Sequence, residues 1–238
     1  MSPAAAAVVA TLVGLLLGAL VPAVIARLPE PVEDRHPEDG EKVPYAEVAA
    51  RPGLAVRTAL LGGVAGGLLG YAVGGDPALV GLLFLVPVCL ALAVVDLRTR
   101  LLPRVLVLPA TGVLVVLAVV DALVTGDHAD LLRAAIGLLV ARSFYWLLWF
   151  LHSAGMGFGD VRLGALLGFA LAYLGWAEFA IGMYAGFIVF ALPGLLLAIA
   201  RRDRSMLRTA YPFGPAMIVG ALLGVLVGPA LLSGLALA

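Results

Sequence analysis

Two aspartates lie at the edges of strongly apolar segments and could act together. Asp96 lies in AVVDLRTRLLPR, residues 93–104, and Asp160 lies in GMGFGDVRLG, residues 155–164. An ionisable side chain at membrane depth is costly, so it usually faces the interior of a helix bundle or a wet cavity. Two carboxylates that share a site hold one proton between them. The ionised member can then activate water while the protonated member polarises a peptide carbonyl. The chemistry that this pair predicts is aspartic proteolysis.

Two glycines precede the second aspartate. Gly157 and Gly159 carry no side chain that would block an extended peptide, and glycine permits a tight turn into the following helix. These glycines therefore favour a place where a substrate backbone comes close to Asp160. The alternative is a plain turn at the entry to a helix.

Other functions remain open for the two aspartates. The interval between Asp96 and Asp160 accommodates two membrane spans and a short external turn, so we expect both carboxylates at the same membrane face. Taken singly, each aspartate is equally compatible with a residue that marks the membrane boundary. Taken together, they are also compatible with a proton- or cation-coupled transporter, which is the main alternative to a protease.

The composition indicates which elements position the aspartates. The chain has 238 residues, of which 63% are hydrophobic and 13% are charged, and its apolar runs repeatedly reach the length needed to cross a bilayer. We predict an all-α, polytopic membrane helix bundle that forms a single domain over residues 1–238. About eight transmembrane helices are expected, at residues 4–26, 54–74, 78–95, 104–124, 131–151, 161–176, 178–200 and 212–235.

The positions of the basic residues predict the orientation of this bundle. When alternate loops are assigned to alternate sides, one side receives nearly all of the 15 basic residues. Because basic residues collect on the cytoplasmic side, this side is predicted to be cytoplasmic, with both termini outside. Residues 27–53 form the only long polar segment, which we expect to be a cytoplasmic loop, partly ordered on the membrane surface. The formal net charge of zero gives no indication of a nucleic-acid partner.

Three further features have structural interpretations. The glycines of GGVAGGLLG, residues 62–70, are typical of close helix packing, in which small residues recur every fourth position. The aromatic run SFYWLLWF, residues 143–150, is interpreted as a set of anchors at the membrane interface. Cys89 is the only cysteine, which excludes an internal disulfide and a multi-cysteine zinc site within this sequence, and no metal site is predicted.

Four motifs resemble those of the prepilin peptidases, a family of GxGD aspartyl proteases, and they follow one another along the chain in the same order as in that family. GMGFGDVRL resembles the GxGD motif, and DLRTRLLP resembles the motif around the first catalytic aspartate. YPFGPAMIVG, residues 211–220, is similar to the family's C-terminal PFGP signature, and GALVPAVIARLP, residues 18–29, is similar to its N-terminal segment.

The resemblance implies a function and a set of site residues. The expected activity is cleavage of the short basic leader of a type IV prepilin or pseudopilin at the cytoplasmic face of the bacterial inner membrane, in a type IV pilus or type II secretion system. The membrane lipid is the other expected partner. Asp96 and Asp160 are implied to be catalytic. The motif residues implied to bind substrate or shape the site are Gly157, Gly159, Arg162, Pro103, Pro212, Phe213, Gly214 and Pro215.

The sequence also departs from the family pattern. Members with two activities also methylate the new N-terminus with S-adenosylmethionine, and many carry a four-cysteine zinc site in the first cytoplasmic loop, which this chain cannot form. Ala19 and Pro22 replace the serine and asparagine that the family prefers. Arg104 follows Pro103 where asparagine is usual, and Arg162 replaces a lysine. Proteolysis is therefore expected to need no cofactor, and S-adenosylmethionine is expected only if the methyltransferase activity is retained.

Overall fold

The structure is a computed structural model that describes residues 1–30, 43–151, 156–201 and 212–235. In these ranges the regular secondary structure is α-helical. The helices, in chain order, are α1 (Pro3–Ala19), α2 (Val21–Ala26), α3 (Tyr45–Ala49), α4 (Leu54–Val73), α5 (Ala78–Thr99), α6 (Arg104–Thr125), α7 (Ala129–Leu151), α8 (Phe158–Leu174), α9 (Trp176–Arg201) and α10 (Gly214–Leu235).

The helices have the lengths and compositions of membrane spans. Among the described residues, five helical stretches are long and apolar enough to cross a membrane, the first of them combining α1 and α2. Shorter apolar stretches lie in α9 and α10. The predicted helical membrane bundle is confirmed, and each predicted span coincides with a helix or, at the N-terminus, with two consecutive helices. The location of the termini stays a prediction.

Two compact units divide the chain, Met1–Ala110 and Thr111–Ala238, and each is described by itself. In the first unit, α1 and α4 pack along their glycines. A Cβ at Gly62 would collide with the carbonyl oxygen of Gly14, and a Cβ at Gly66 would collide with that of Ala10. The packing predicted from GGVAGGLLG is thus confirmed, because only glycine lets the two backbones approach this closely.

The predicted polar loop contributes a short helix to the first unit. Tyr45 and Val48 of α3 are buried in a cluster with residues of α2 and α5. The backbone N–H of Ala46 donates a hydrogen bond to Oε1 of Glu30, at 3.2 Å. Burial raises the pKa of Tyr45, and the negative charge of Glu30 adds to the effect. Both ends of the described loop are therefore attached to the bundle, and residues 31–42 lie outside the described residues.

The core of the second unit is α8. Nearly all of its side chains from Asp160 to Ala172 are buried, and Gly168 lies against Ala141 and Gly137 of α7. Gly182 and Gly186 of α9 similarly lie against α10. Small residues therefore allow α7 to approach α8, and α10 to approach α9, at short interhelical distances.

The C-terminal end of α8 is fixed by polar side chains. Arg133 of α7 donates hydrogen bonds to the last carbonyl oxygens of α8, including one to Leu174 at 3.2 Å. The Tyr173 hydroxyl donates to Oδ2 of Asp121, at 2.6 Å. Because the final carbonyls of a helix have no partner within it, the guanidinium satisfies groups that would otherwise need water.

Candidate active site

Asp160 is the third residue of α8 and is 7% exposed. Its Oδ2 accepts a hydrogen bond from the backbone N–H of Gly157, at 3.0 Å. Gly157 has extended backbone angles and immediately precedes the helix, while Gly159 is half-buried in its first turn. Asp160 therefore caps its own helix, at the end where the helix dipole favours a negative charge.

Asp96 occupies the last turn of α5 and is 4% exposed. The helix continues to Thr99, four residues past the predicted end of the span. It ends at Arg100, whose backbone is left-handed with φ of 55° and whose N–H donates to the carbonyl oxygen of Asp96, at 2.9 Å. Val95, the residue before Asp96, belongs to the buried cluster that also contains residues of α2 and α3. Asp96 is thus held in a well-packed helix end.

Pro103 lies immediately before α6 and is half-buried. Its carbonyl oxygen accepts the backbone N–H groups of Leu106, at 3.0 Å, and Val107, at 3.3 Å. Proline suits this place because its ring fixes φ near the helical value and it is tolerated at the start of a helix. Pro103 and Asp96 belong to the first unit, and the other predicted site residues belong to the second.

Arg162 is held at the start of α8 by aromatic rings. Its guanidinium carbon lies 4.8 Å from the centroid of the Phe158 ring, and Phe158 meets Trp149 of α7 edge to face, with ring centroids 5.2 Å apart. A guanidinium over an aromatic face is stabilised by the quadrupole of the ring. The positive charge thus stays close to the turn that carries Asp160.

The PFGP segment packs into an aromatic cluster in the same unit. Phe213 is 7% exposed, and its ring centroid lies 5.0 Å from Phe190 and 5.2 Å from Phe187. Its carbonyl oxygen accepts the backbone N–H of Met217, at 3.1 Å, in the first turn of α10. Gly214 is buried at the start of that helix, and the flanking prolines, Pro212 and Pro215, are half-buried.

Tyr145 of α7 connects this cluster to the helix of Asp160. Its ring centroid lies 6.1 Å from that of Phe213, and the ring covers Gly164 so closely that a Cβ there would collide with it. Gly164 lies one turn after Asp160 on α8. The structure therefore brings the GxGD and PFGP motifs together within the second unit through a residue that the sequence motifs did not predict.

The burial of Tyr145 departs from the interpretation of its aromatic run. Exposed aromatic side chains in the run agree with anchors that face lipid, namely Phe144, Trp146 and Phe150. Tyr145, in contrast, is only 1% exposed. The signal that could have identified it is helical spacing, because it continues a line of small buried residues on the face toward α8: Ala134, Gly137 and Ala141.

Comparison with known proteins indicates which family the chain resembles. Residues 83–200, just under half of the chain, match the model of the type IV leader peptidase family. The matched leader peptidase segment contains Asp96, Pro103 and the whole GxGD motif, whereas the PFGP segment lies beyond its end.

Individual relatives agree with this match. The chain is 33% identical over 140 residues to a prepilin leader peptidase/N-methyltransferase of Pseudomonas putida, covering 58% of this chain and 46% of the relative. It is 33% identical over 158 residues to one of Pectobacterium carotovorum subsp. carotovorum, covering 63% and 52%. The chain thus spans about half the length of the curated relatives it matches. No solved structure matches it significantly. The predicted resemblance is confirmed, and the comparisons give the transporter alternative no support.

Proposed function

We propose that the chain is a membrane aspartic endopeptidase that cleaves the short basic leader from type IV prepilins or pseudopilins. Cleavage takes place at the cytoplasmic face of the bacterial inner membrane, ahead of the hydrophobic helix of the substrate. Asp96 and Asp160 act as the catalytic pair, and the surrounding lipid is the other partner. The proposal extends to this chain the activity that its relatives carry in their names.

One observation carries the proposal: the segment that matches the leader peptidase family contains two buried carboxylates at helix ends. Burying an acidic side chain costs free energy because its charge loses the stabilisation by water. Both Asp96 and Asp160 are buried, so we infer that the protein uses them for more than surface solubility. Two apolar helices, α6 and α7, separate the end of α5 from the start of α8. An out-and-back crossing by these helices supports placing both carboxylates at one membrane face.

The proposed chemistry uses one proton shared by two carboxylates. The ionised aspartate accepts a proton from water, whose oxygen attacks the scissile carbonyl carbon. The protonated aspartate donates to the carbonyl oxygen, which gives a tetrahedral intermediate. The first aspartate then gives the proton it took from water to the amide nitrogen, while the second aspartate takes back a proton from a hydroxyl group of the intermediate. The carbon–nitrogen bond breaks, the leader leaves with the new carboxyl group, and the pair again shares one proton.

The proposal covers cleavage and stops short of N-methylation. The relatives named above carry both activities in their names, but the chain spans only about half of their length. Cys89, the only cysteine in the sequence, lies within α5, so this chain cannot build the four-cysteine zinc site of the first cytoplasmic loop. Ala19 and Pro22 in the N-terminal segment also depart from the pattern of the methylating members.

The test is cleavage of a co-expressed prepilin whose basic leader ends in glycine. The parent chain is compared with Asp96→Asn and Asp160→Asn at matched membrane abundance. Asp130→Asn is the control, because Asp130 is a half-exposed acidic residue elsewhere in the second unit. Parent and control should trim the leader and both other variants should leave it intact. Mass spectrometry of the mature N-terminus reports any added methyl group. Intact prepilin in the parent would refute the proposal.

A further inference from the structure

Tyr145 occupies a place that an apolar residue would fill if packing were its only role. Its ring stacks on Phe187, with centroids 5.8 Å apart, and meets Phe144 edge to face at 5.5 Å. The ring also contacts α8 at Gly164. Within the described residues, the rings that contact Tyr145 belong to phenylalanines, so its hydroxyl is a polar group on an otherwise apolar set of rings.

The hydroxyl also has unused hydrogen-bonding capacity. Tyr145 is 99% buried, yet within the described residues its Oη forms no hydrogen bond. Fully buried polar side-chain atoms in the described part of the chain all have partners, so the small accessible remainder of Tyr145 includes Oη. A buried tyrosine hydroxyl normally finds a partner. The capacity of this hydroxyl to donate a hydrogen bond is therefore unused within the described residues.

The rings around Tyr145 would hold its hydroxyl, as a hydrogen-bond donor, in a fixed position. Phe187 and Phe213 contact its ring from α9 and from the PFGP segment, and Gly164 contacts it from α8. A donor that is already oriented in an apolar site stabilises a developing negative charge without reorganisation, and such donors contribute strongly to acyl-transfer transition states. Gly164 lies one turn after Asp160 on α8, so the ring of Tyr145 lies beside the helix that carries the carboxylate.

We propose that Tyr145 is a catalytic residue whose hydroxyl donates a hydrogen bond to the oxygen of the tetrahedral intermediate formed at Asp160. The inference rests on the proposed proteolytic function. The phenol keeps its proton throughout. It donates a hydrogen bond to the oxygen that also receives the proton of the protonated aspartate, where it stabilises the partial negative charge of the transition state, and this hydrogen bond is released when the carbon–nitrogen bond breaks. The PFGP segment, through Phe213, holds the donor in place.

The test is steady-state cleavage of a prepilin by the purified full chain, comparing the parent with Tyr145→Phe and Tyr184→Phe. The first variant removes only the hydroxyl and keeps the packed ring. The second makes the same change at a tyrosine of α9 that is 70% exposed. Tyr145→Phe is expected to lower kcat by about 10- to 100-fold with KM within about twofold of the parent, because the hydrogen bond forms only in the transition state. Tyr184→Phe should match the parent.

A second measurement separates this role from a packing role. A prepilin peptide in which a tetrahedral alcohol replaces the scissile amide mimics the intermediate, so its affinity should fall in Tyr145→Phe by about the same factor as kcat. Equal kcat and equal affinity for this analogue in parent and Tyr145→Phe would overturn the inference while leaving the protease assignment intact. A parent chain that cleaves no prepilin would overturn both.

Discussion

The ring of Tyr145 lies directly over the backbone of Gly164, one turn of α8 beyond Asp160. Any side chain at Gly164 would move the ring or separate α7 from α8. Since the same ring contacts Phe213, it is one of the contacts that position the GxGD helix and the PFGP segment within the second unit.

Gly164→Ala should therefore impair both stability and activity. The new methyl group would overlap the Tyr145 ring, and overpacking of this kind costs about 1–3 kcal/mol. Gly112→Ala is the matched control, because a Cβ at Gly112 of α6 would meet no neighbouring atom within 4 Å. The thermal unfolding temperature and the rate of prepilin cleavage should both fall in Gly164→Ala. Both should stay near the parent values in Gly112→Ala. Equal behaviour of the two variants would contradict the close packing of the ring.

Glycines of α4 should differ in their tolerance of alanine. A methyl group at Gly62 would strike the backbone of α1 at Gly14, which cannot move without separating the helices. At Gly67 the nearest atom belongs to the Thr11 side chain, which can change rotamer. We expect Gly62→Ala to lower the unfolding temperature clearly more than Gly67→Ala. The reverse order in a thermal melt of the full chain would show that α1 and α4 are not packed through Gly62.

Arg133→Gln should destabilise the second unit without changing the recognition of substrate. The variant loses donors to the last carbonyls of α8, and unpaired buried acceptors cost about 1–3 kcal/mol. Asp130 pairs with the same guanidinium at 2.8 Å but is half-exposed, so Asp130→Asn should cost less than about 1 kcal/mol. Thermal melts of the two variants separate the carbonyl contacts from the ion pair. A similar loss in both would assign the stabilisation to the ion pair instead.

The pH dependence of cleavage should show two ionisations that belong to Asp96 and Asp160 together. Activity requires one ionised and one protonated carboxylate, so kcat/KM should fall on the acid side as the first becomes protonated and on the alkaline side as the second loses its proton. The profile is measured for the parent with a prepilin whose leader contains no acidic residue. A flat profile across the carboxylate range would argue against the pair.

The arrangement of helices was largely predictable, because apolar runs of span length are separated by polar or Gly- and Pro-containing breaks. Asp160 at a helix start and the packing of Gly62 and Gly66 followed from local patterns in the same way. Tyr145 did not, because its aromatic neighbours match the composition of a lipid-facing anchor. Its burial depends on Gly164, and its contact with Phe213 joins residues far apart in the chain. Helical spacing along α7 could have predicted that Tyr145 is buried, but it does not predict which residues of α8 and the PFGP segment the ring contacts.

The hydrogen bond from the backbone N–H of Gly157 to Oδ2 of Asp160 makes the start of α8 sensitive to protonation of this carboxylate. A hydrogen bond from a backbone amide to a carboxylate is charge-assisted only while the carboxylate is ionised. Each protonation of Asp160 therefore weakens the attachment of the first turn of α8. The rate at which the Gly157 amide exchanges its hydrogen for deuterium would then follow the ionisation of a proposed catalytic residue, in the resting protein and with no substrate present.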